Sequence, residues 1–193
     1  MEKQDLTPRE SLSVINEMIS TARSRLNENG YIYRFWGWLI FVCALAQFVL
    51  FKLEFFEYNY FPYLLLLPAG IYTWVKESRR HRQQRGSYIN SVMTALWIPL
   101  AANLAIVGFL IWPVFEISPT PFLLIFLAIG AIVSGGTIKF TPLIWGGILC
   151  NAIGIAAFFA PWLYHPLLLA AGIVAADLIP GYMIKNKHHK QHA

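Results

Sequence analysis

Apolar residues are concentrated in six runs of the chain, and polar or charged segments separate these runs. Each run contains 18–25 residues. An α-helix of that length, rising about 1.5 Å per residue, crosses a hydrocarbon core of about 30 Å. The runs lie at 33–52, 58–75, 90–114, 121–138, 141–160 and 164–184. The pattern therefore predicts an all-α integral membrane protein with six transmembrane helices arranged as three hairpins.

Prolines occur within the second run and at the junction of the fourth and fifth runs. Pro68-Ala69-Gly70 predicts an interruption in the second run, which is also one of the shortest. The fourth and fifth runs are separated only by residues 139–142, and together they would be about twice the length of one span. Since proline disfavours a continuous helix through its position, Pro142 predicts a hairpin turn at 139–142.

The segment before the first run predicts an amphipathic cytoplasmic helix. Its apolar residues recur every three or four positions, as on one face of a helix. The face consists of Leu12, Ile15, Ile19 and Leu26. Asn29-Gly30 predicts the end of this helix. The interpretation is an N-terminal helical region (1–30), a six-helix membrane domain (31–185) and a basic, histidine-rich cytoplasmic tail (186–193).

Composition and charge support membrane insertion and predict its direction. Hydrophobic residues make up 57% of the chain and charged residues 13%, too few charges to solvate a globular surface. All Lys and Arg residues except Lys52 fall in segments that lie inside if both termini are cytoplasmic. The expectation is a multi-pass protein of the bacterial cytoplasmic membrane. Since membrane topology explains the net charge of +5, no nucleic-acid partner is predicted.

One acidic residue, Asp177, lies inside an apolar run, where a charged side chain costs roughly 2.5–3.5 kcal/mol. Pro180-Gly181 follows and predicts a helix break, which would leave polar backbone beside the carboxylate. Three polar residues of neighbouring helices are candidate partners for it: Lys139, Asn151 and Asn103. The pattern is typical of an ion or substrate site. The alternative is a protonated or hydrogen-bonded aspartate that ties the sixth helix to the bundle.

Other polar and small residues in the runs favour structural roles. Gln47, Asn103 and Asn151 are predicted to form interhelical hydrogen bonds. Glycine and alanine in runs four to six predict close helix packing there. Cys43 and Cys150 have no metal-ligand spacing, and no catalytic motif is present, so neither an enzyme nor a metal or cofactor site is predicted.

Three motifs resemble small six-span membrane proteins of Bacteroidetes-type bacteria that have no assigned activity. They are Pro8-Arg9-Glu10-Ser11-Leu12, Trp36-Gly37-Trp38-Leu39 and Phe140-Thr141-Pro142-Leu143-Ile144-Trp145-Gly146-Gly147. The size and hairpin plan are also similar to those of the HdeD-like acid-resistance membrane proteins. These resemblances imply a six-span fold and assign no site residue.

Two functions follow as expectations. The first is a non-enzymatic membrane scaffold, or a signalling or stress component, whose segment 8–28 docks a protein partner or a second copy. That segment is electrically neutral and carries a Leu/Ile face, which favours helix–helix docking over lying on the membrane. Packing of the segment on the protein's own cytoplasmic loops remains an alternative. The second function is a small solute or proton transporter with Asp177 at a broken sixth helix.

Overall fold

The computed structural model describes the backbone of residues 8–83, 88–115 and 117–189, and the side chains of 30–56, 58–76, 91–110, 114–115 and 117–184. All regular secondary structure in these ranges is helical. The α-helices are α1 (Pro8–Lys52), α2 (Leu66–Gln83), α3 (Tyr88–Phe115), α4 (Thr120–Thr137), α5 (Thr141–Ala157), α6 (His165–Ile173) and α7 (Ile179–His189). Short 3-10 helices lie at Phe56–Tyr58, Phe61–Leu65 and Trp162–Tyr164, and a π-helical turn at Val174–Leu178 joins α6 to α7. We call the continuous unit from His165 to His189 the final helix.

Four helical segments are long and apolar enough to cross a membrane: Gly30–Lys52, Ser91–Leu110, Thr120–Thr137 and Trp162–Ile184. The apolar helix α5 is shorter, with 17 residues. These segments confirm an all-helical protein with several helices of membrane-spanning length. They fall within or overlap the first, third, fourth and sixth runs expected from the sequence.

The first helix does not end where the sequence predicted. It continues through Asn29-Gly30 as one helix of 45 residues, so the proposed boundary at residue 30 is not a helix end. A glycine inside a helix costs only about 0.5–1 kcal/mol relative to alanine, which packing can offset. At Gly30 a Cβ atom would lie 2.8 Å from Ile184 Cγ2 of α7, so the glycine permits close packing there instead of ending the helix. At the other end of the chain, α7 reaches His189, within the segment predicted as the tail.

The interruption predicted at Pro68-Ala69-Gly70 is also wrong. Pro68 is the third residue of α2, and the helix continues through it to Gln83. The first turn of a helix has no intrahelical partners for its N–H groups, so a proline there removes no hydrogen bond. The residues before it, Phe61–Leu65, form a 3-10 helix with Pro62 near its start.

The hairpin between α4 and α5 is confirmed. The Phe140 N–H donates to the Gly135 carbonyl (2.8 Å), and the Lys139 N–H donates to the Gly136 carbonyl (3.3 Å). Lys139 adopts a positive φ of 54° between them. These features form a Schellman motif, which ends α4 and reverses the chain before α5 begins at Thr141, with Pro142 in its first turn.

The core lies where α4, α5 and the final helix meet, as the small residues predicted. A Cβ atom at Gly154 would lie 3.0 Å from Leu124 Cβ, and one at Gly147 would lie 3.0 Å from the Ala128 carbonyl oxygen. The first helix packs against the final helix, whereas α3 contacts this group at one edge through α4. None of the residues Ser91–Leu110 of α3 is buried. The bundle is therefore densely packed on one side and open on the other.

Contacts between loops define the two ends of the bundle. At one end, the Phe51 and Trp162 rings lie 5.1 Å apart and join the end of α1 to the start of the final helix. At the same end, His165 Nδ1 lies 2.6 Å from Ser118 Oγ in the segment before α4. The opposite end contains Gly30, the α4–α5 turn and Ile184. We call these the Phe51 end and the Lys139 end.

Candidate functional site around Asp177

The final helix carries Asp177 in its π-helical turn, Val174–Leu178. The predicted break at Pro180-Gly181 is absent, because α7 continues through both residues. Proline lacks an N–H, and its ring crowds the carbonyl four residues earlier, here that of Ala176. A wider π turn next to the proline accommodates this crowding without ending the helix. Such turns occur often at functional sites.

The π turn makes a backbone contact with α5. A Cβ atom at Gly146 would collide with the carbonyl oxygen of Ala175, and it would lie 3.2 Å from Pro180 Cγ. Only glycine lets α5 come this close to the distorted turn. The sequence had indicated close packing of small residues, but it had not paired Gly146 with Ala175.

Asp177 is buried, with 6% of its surface exposed. On the α1 side, a Cβ atom at Gly37 would lie 3.2 Å from Asp177 Cβ and 2.9 Å from Leu178 Cδ2. The carboxylate-bearing turn is thus enclosed by α1 and α5. Among the described side chains, none forms an ion pair with Asp177.

The three predicted partners do not surround this carboxylate. Lys139 is exposed at the hairpin turn. Asn103 is exposed on α3, and its amide donates to the Pro99 carbonyl of its own helix at 2.8 Å. Asn151 is half-buried on α5, and no hydrogen bond joins it to Asp177. The predicted interhelical bond of Gln47 is confirmed, since its Oε1 accepts from the Tyr63 hydroxyl at 2.9 Å.

Two polar residues, Tyr33 of α1 and Cys150 of α5, lie near Asp177 instead. Ser134 of α4 and Trp97 of α3 extend this group from Tyr33. Together with Asp177 they form what we call the polar cluster: Tyr33, Trp97, Ser134 and Cys150. The Trp97 indole N–H donates to Ser134 Oγ at 3.1 Å. The Tyr33 hydroxyl interacts with the Ser134 side chain, and both Tyr33 and Cys150 are within electrostatic range of Asp177.

Sequence reasoning missed this cluster for two identifiable reasons. Tyr33 was not among the polar candidates, although it shares one face of α1 with Gly30 and Gly37 at spacings of three and four residues. Cys150 was considered for metal-ligand spacing and not as a partner of Asp177, but its thiol is fully buried and donates to the Leu124 carbonyl at 3.5 Å. The heptad spacing of Gly30 and Gly37 was the signal that identifies the buried face of α1.

A glycine seam joins α1 to the final helix beside the polar cluster. We define it by Gly30, Gly37 and Gly181. A Cβ atom at Gly181 would lie 2.9 Å from Arg34 Cγ and 3.4 Å from the Gly30 carbonyl oxygen. Arg34 Nη1 donates to the Gly181 carbonyl at 3.3 Å. The seam and the polar cluster together fasten α1 to the last quarter of the chain.

The predicted docking face of Leu12, Ile15, Ile19 and Leu26 lies outside the residues whose side chains the structure describes, although their backbone belongs to α1. Fold and site together define an all-helical protein with helices of membrane-spanning length and a buried polar cluster. Comparison with family models, with curated proteins and with solved structures found no match.

Proposed function

We propose that the chain crosses the bacterial cytoplasmic membrane six times, with both termini in the cytoplasm. The four long apolar helices support this, and α5 is close to the required length. The second span would be the run 58–75, which contains the 3-10 helix Phe61–Leu65 and the start of α2. The Lys139 end would be cytoplasmic because of the lysine and arginine bias.

The direction of insertion can be tested at the α4–α5 turn. In a protein whose two buried cysteines are replaced by alanine, Lys139→Cys supplies one exposed thiol. A membrane-impermeant maleimide should label it in inverted vesicles and not in spheroplasts. A tag at the C-terminus should show the same sidedness. Labelling of either position in intact spheroplasts would contradict the proposed topology.

Within this topology, the best-supported function is a non-enzymatic scaffold or signalling component that connects a cytoplasmic partner to the membrane bundle. One observation carries the proposal: α1 is a single helix from Pro8 to Lys52, and its inner part is fastened to the final helix by the glycine seam. Residues 8–29 would extend about 33 Å beyond the span at about 1.5 Å per residue. A partner bound there would act directly on the polar cluster through a continuous helix.

The helical backbone and the sequence spacing put the predicted docking face on one side of this extension. Ile19 lies on that face, while Thr21 lies about 200° away around the helix at about 100° per residue. Introducing one carboxylate at each position therefore gives a matched pair. Ile19→Glu buries a charge in a helix–helix interface, whereas Thr21→Glu adds the same charge on the opposite side.

We expect the detergent-solubilised wild-type protein to purify as a dimer or with one stoichiometric partner. Ile19→Glu should release it as a monomeric species, and Thr21→Glu should not. Light scattering after gel filtration measures the mass. A wild-type protein that is monomeric and partner-free, with both variants identical to it, would contradict the docking proposal.

The burial of Asp177 in a π turn favours a second candidate, a proton or small-solute transporter. In proteoliposomes, a flux abolished by Asp177→Asn and retained by Asp177→Glu would support transport and displace the scaffold proposal. An absence of flux in wild-type proteoliposomes, together with the Ile19→Glu effect, would eliminate it.

A further inference from the structure

Two cationic side chains and several aromatic rings form a patch at the Lys139 end, where α1, α2 and α7 come together. Lys76 Nζ lies 4.6 Å from the centre of the Tyr31 ring and 5.8 Å from that of Tyr72. Arg34 Cζ lies 5.7 Å from the centre of the Tyr182 ring. We call Tyr31, Arg34, Lys76 and Tyr182, together with Tyr72 and Trp38, the cation–aromatic patch.

Each cation lies over a different tyrosine, Lys76 over Tyr31 and Arg34 over Tyr182. Tyr31 and Arg34 are three positions apart on α1, so their Cβ atoms are about 5–6 Å apart on one face. Lys76 approaches the same Tyr31 ring from α2. Trp38 Nε1 donates to the Tyr182 hydroxyl at 3.1 Å, which fixes the ring beneath the Arg34 guanidinium. Helices α1, α2 and α7 thus bring both cations and their rings to the Lys139 end.

These cations retain hydrogen-bonding capacity. Arg34 uses one donor on the Gly181 carbonyl, and a guanidinium has five. Lys76 makes no hydrogen bond with the described part of the chain. Among the described side chains, no Asp or Glu pairs with either cation. Two cations beside exposed rings favour an anionic ligand, and a guanidinium matches the oxygens of a phosphate with two parallel bonds.

The exposed aromatic rings indicate that this ligand is part of a lipid bilayer. Tyr31, Trp38 and Tyr182 are 45%, 47% and 43% exposed, respectively, although a soluble surface rarely groups such rings. They lie near the ends of Gly30–Lys52 and Trp162–Ile184, the two segments of spanning length that the glycine seam joins. Tyrosine and tryptophan prefer this level of a bilayer, where phospholipid headgroups lie.

We infer that the cation–aromatic patch binds the phosphate of an anionic phospholipid through Arg34 and Lys76. The inference rests on the proposed membrane insertion and is independent of the scaffold and transport proposals. The occupied site would attach α2, which has few other contacts in the described structure, to the junction of α1 and α7.

The test uses the full-length protein in mixed micelles containing phosphatidylglycerol and phosphatidylcholine in equal amounts, with bound lipid counted by native mass spectrometry. The double variant Arg34→Gln/Lys76→Gln should lower the affinity for phosphatidylglycerol about 30-fold, and Lys76→Gln alone about five-fold. Lys139→Gln is the matched control, because it removes an exposed charge at the same end without flanking rings. It should bind phosphatidylglycerol as the wild type does.

Several outcomes would overturn the inference. Equal binding of the two lipids by the wild type would do so, as would an equal loss in Lys139→Gln, which would indicate diffuse attraction by charge. Binding of glycerol 3-phosphate in lipid-free detergent with the same dependence on Arg34 and Lys76 would assign the site to a soluble phosphoester. Since Arg34→Gln also removes a contact to Gly181, the exposed Lys76→Gln variant decides the result if the double variant does not fold.

Discussion

Replacing Gly146 by alanine perturbs the closest approach between α5 and the final helix. The added methyl group would collide with the Ala175 carbonyl oxygen and would lie 3.2 Å from the Ala175 carbonyl carbon. Both of these atoms belong to the backbone, so no side-chain rotation relieves the contact. The two helices must separate, or the π turn must change its shape. Either change propagates to Asp177, two residues beyond Ala175.

The net effect on stability combines two opposing contributions. Overpacking a dense interior costs about 1–3 kcal/mol, and a contact with backbone belongs at the upper end of that range. Replacing glycine by alanine inside a helix stabilises it by about 0.5–1 kcal/mol. We therefore expect a net loss of about 2 kcal/mol, equivalent to a decrease in Tm of roughly 4–8 °C for a chain of this size.

Gly108→Ala is the control for this experiment. Gly108 lies within α3, and a Cβ atom there would have no neighbour within 4 Å. The same substitution should leave Tm unchanged or raise it slightly. Tryptophan fluorescence during heating of the detergent-solubilised protein measures both variants, and their difference removes the helix-propensity contribution. Equal Tm values for the two variants would refute the close approach of α5 to the π turn.

Two further predictions concern the buried polar groups. Ser134→Ala removes the acceptor of the Trp97 indole N–H and should lower the free energy of unfolding by about 1–3 kcal/mol. Thr137→Ala is the control and should lower it little, because the Thr137 hydroxyl is exposed and bonds its own helix. Equal Tm values for the two variants would contradict this prediction. Cys43 and Cys150 are 1% and 0% exposed, so a membrane-permeant maleimide should label them at least about tenfold faster after unfolding in SDS than in the folded protein. Mass spectrometry measures the labelling. Rapid labelling of the folded protein would contradict the burial of the two thiols.

The sequence alone determined the features that depend on local hydrophobic length and on backbone chemistry. Helices of membrane-spanning length coincide with apolar runs, since a hydrocarbon core of about 30 Å requires about 20 predominantly apolar residues. The α4–α5 hairpin was predictable because the two runs together are about twice one span and Pro142 disfavours a helix in the residues just before it. The small residues of α4, α5 and the final helix also indicated which helices pack closely.

Two local signals were overruled by packing. Asn29-Gly30 has the sequence of a helix end, but Gly30 is used for a close approach to α7 and the helix continues. Pro180-Gly181 has the sequence of a break, but a π turn absorbs the proline one turn earlier and Gly181 packs against Arg34. In both places, a contact with a residue more than 140 positions away in the chain determined the backbone conformation.

Only the tertiary structure decided which residues surround Asp177. In a water-soluble protein, the amphipathic periodicity of a helix indicates which face is buried. A membrane helix is apolar both toward lipid and toward protein, so its sequence gives no such indication. The sequence therefore placed Asn103, Asn151 and Lys139 at suitable depths without revealing their rotation about each helix axis. The rotation of each helix about its axis leaves Asn103 exposed and Cys150 buried. Packing between the helices determines this rotation.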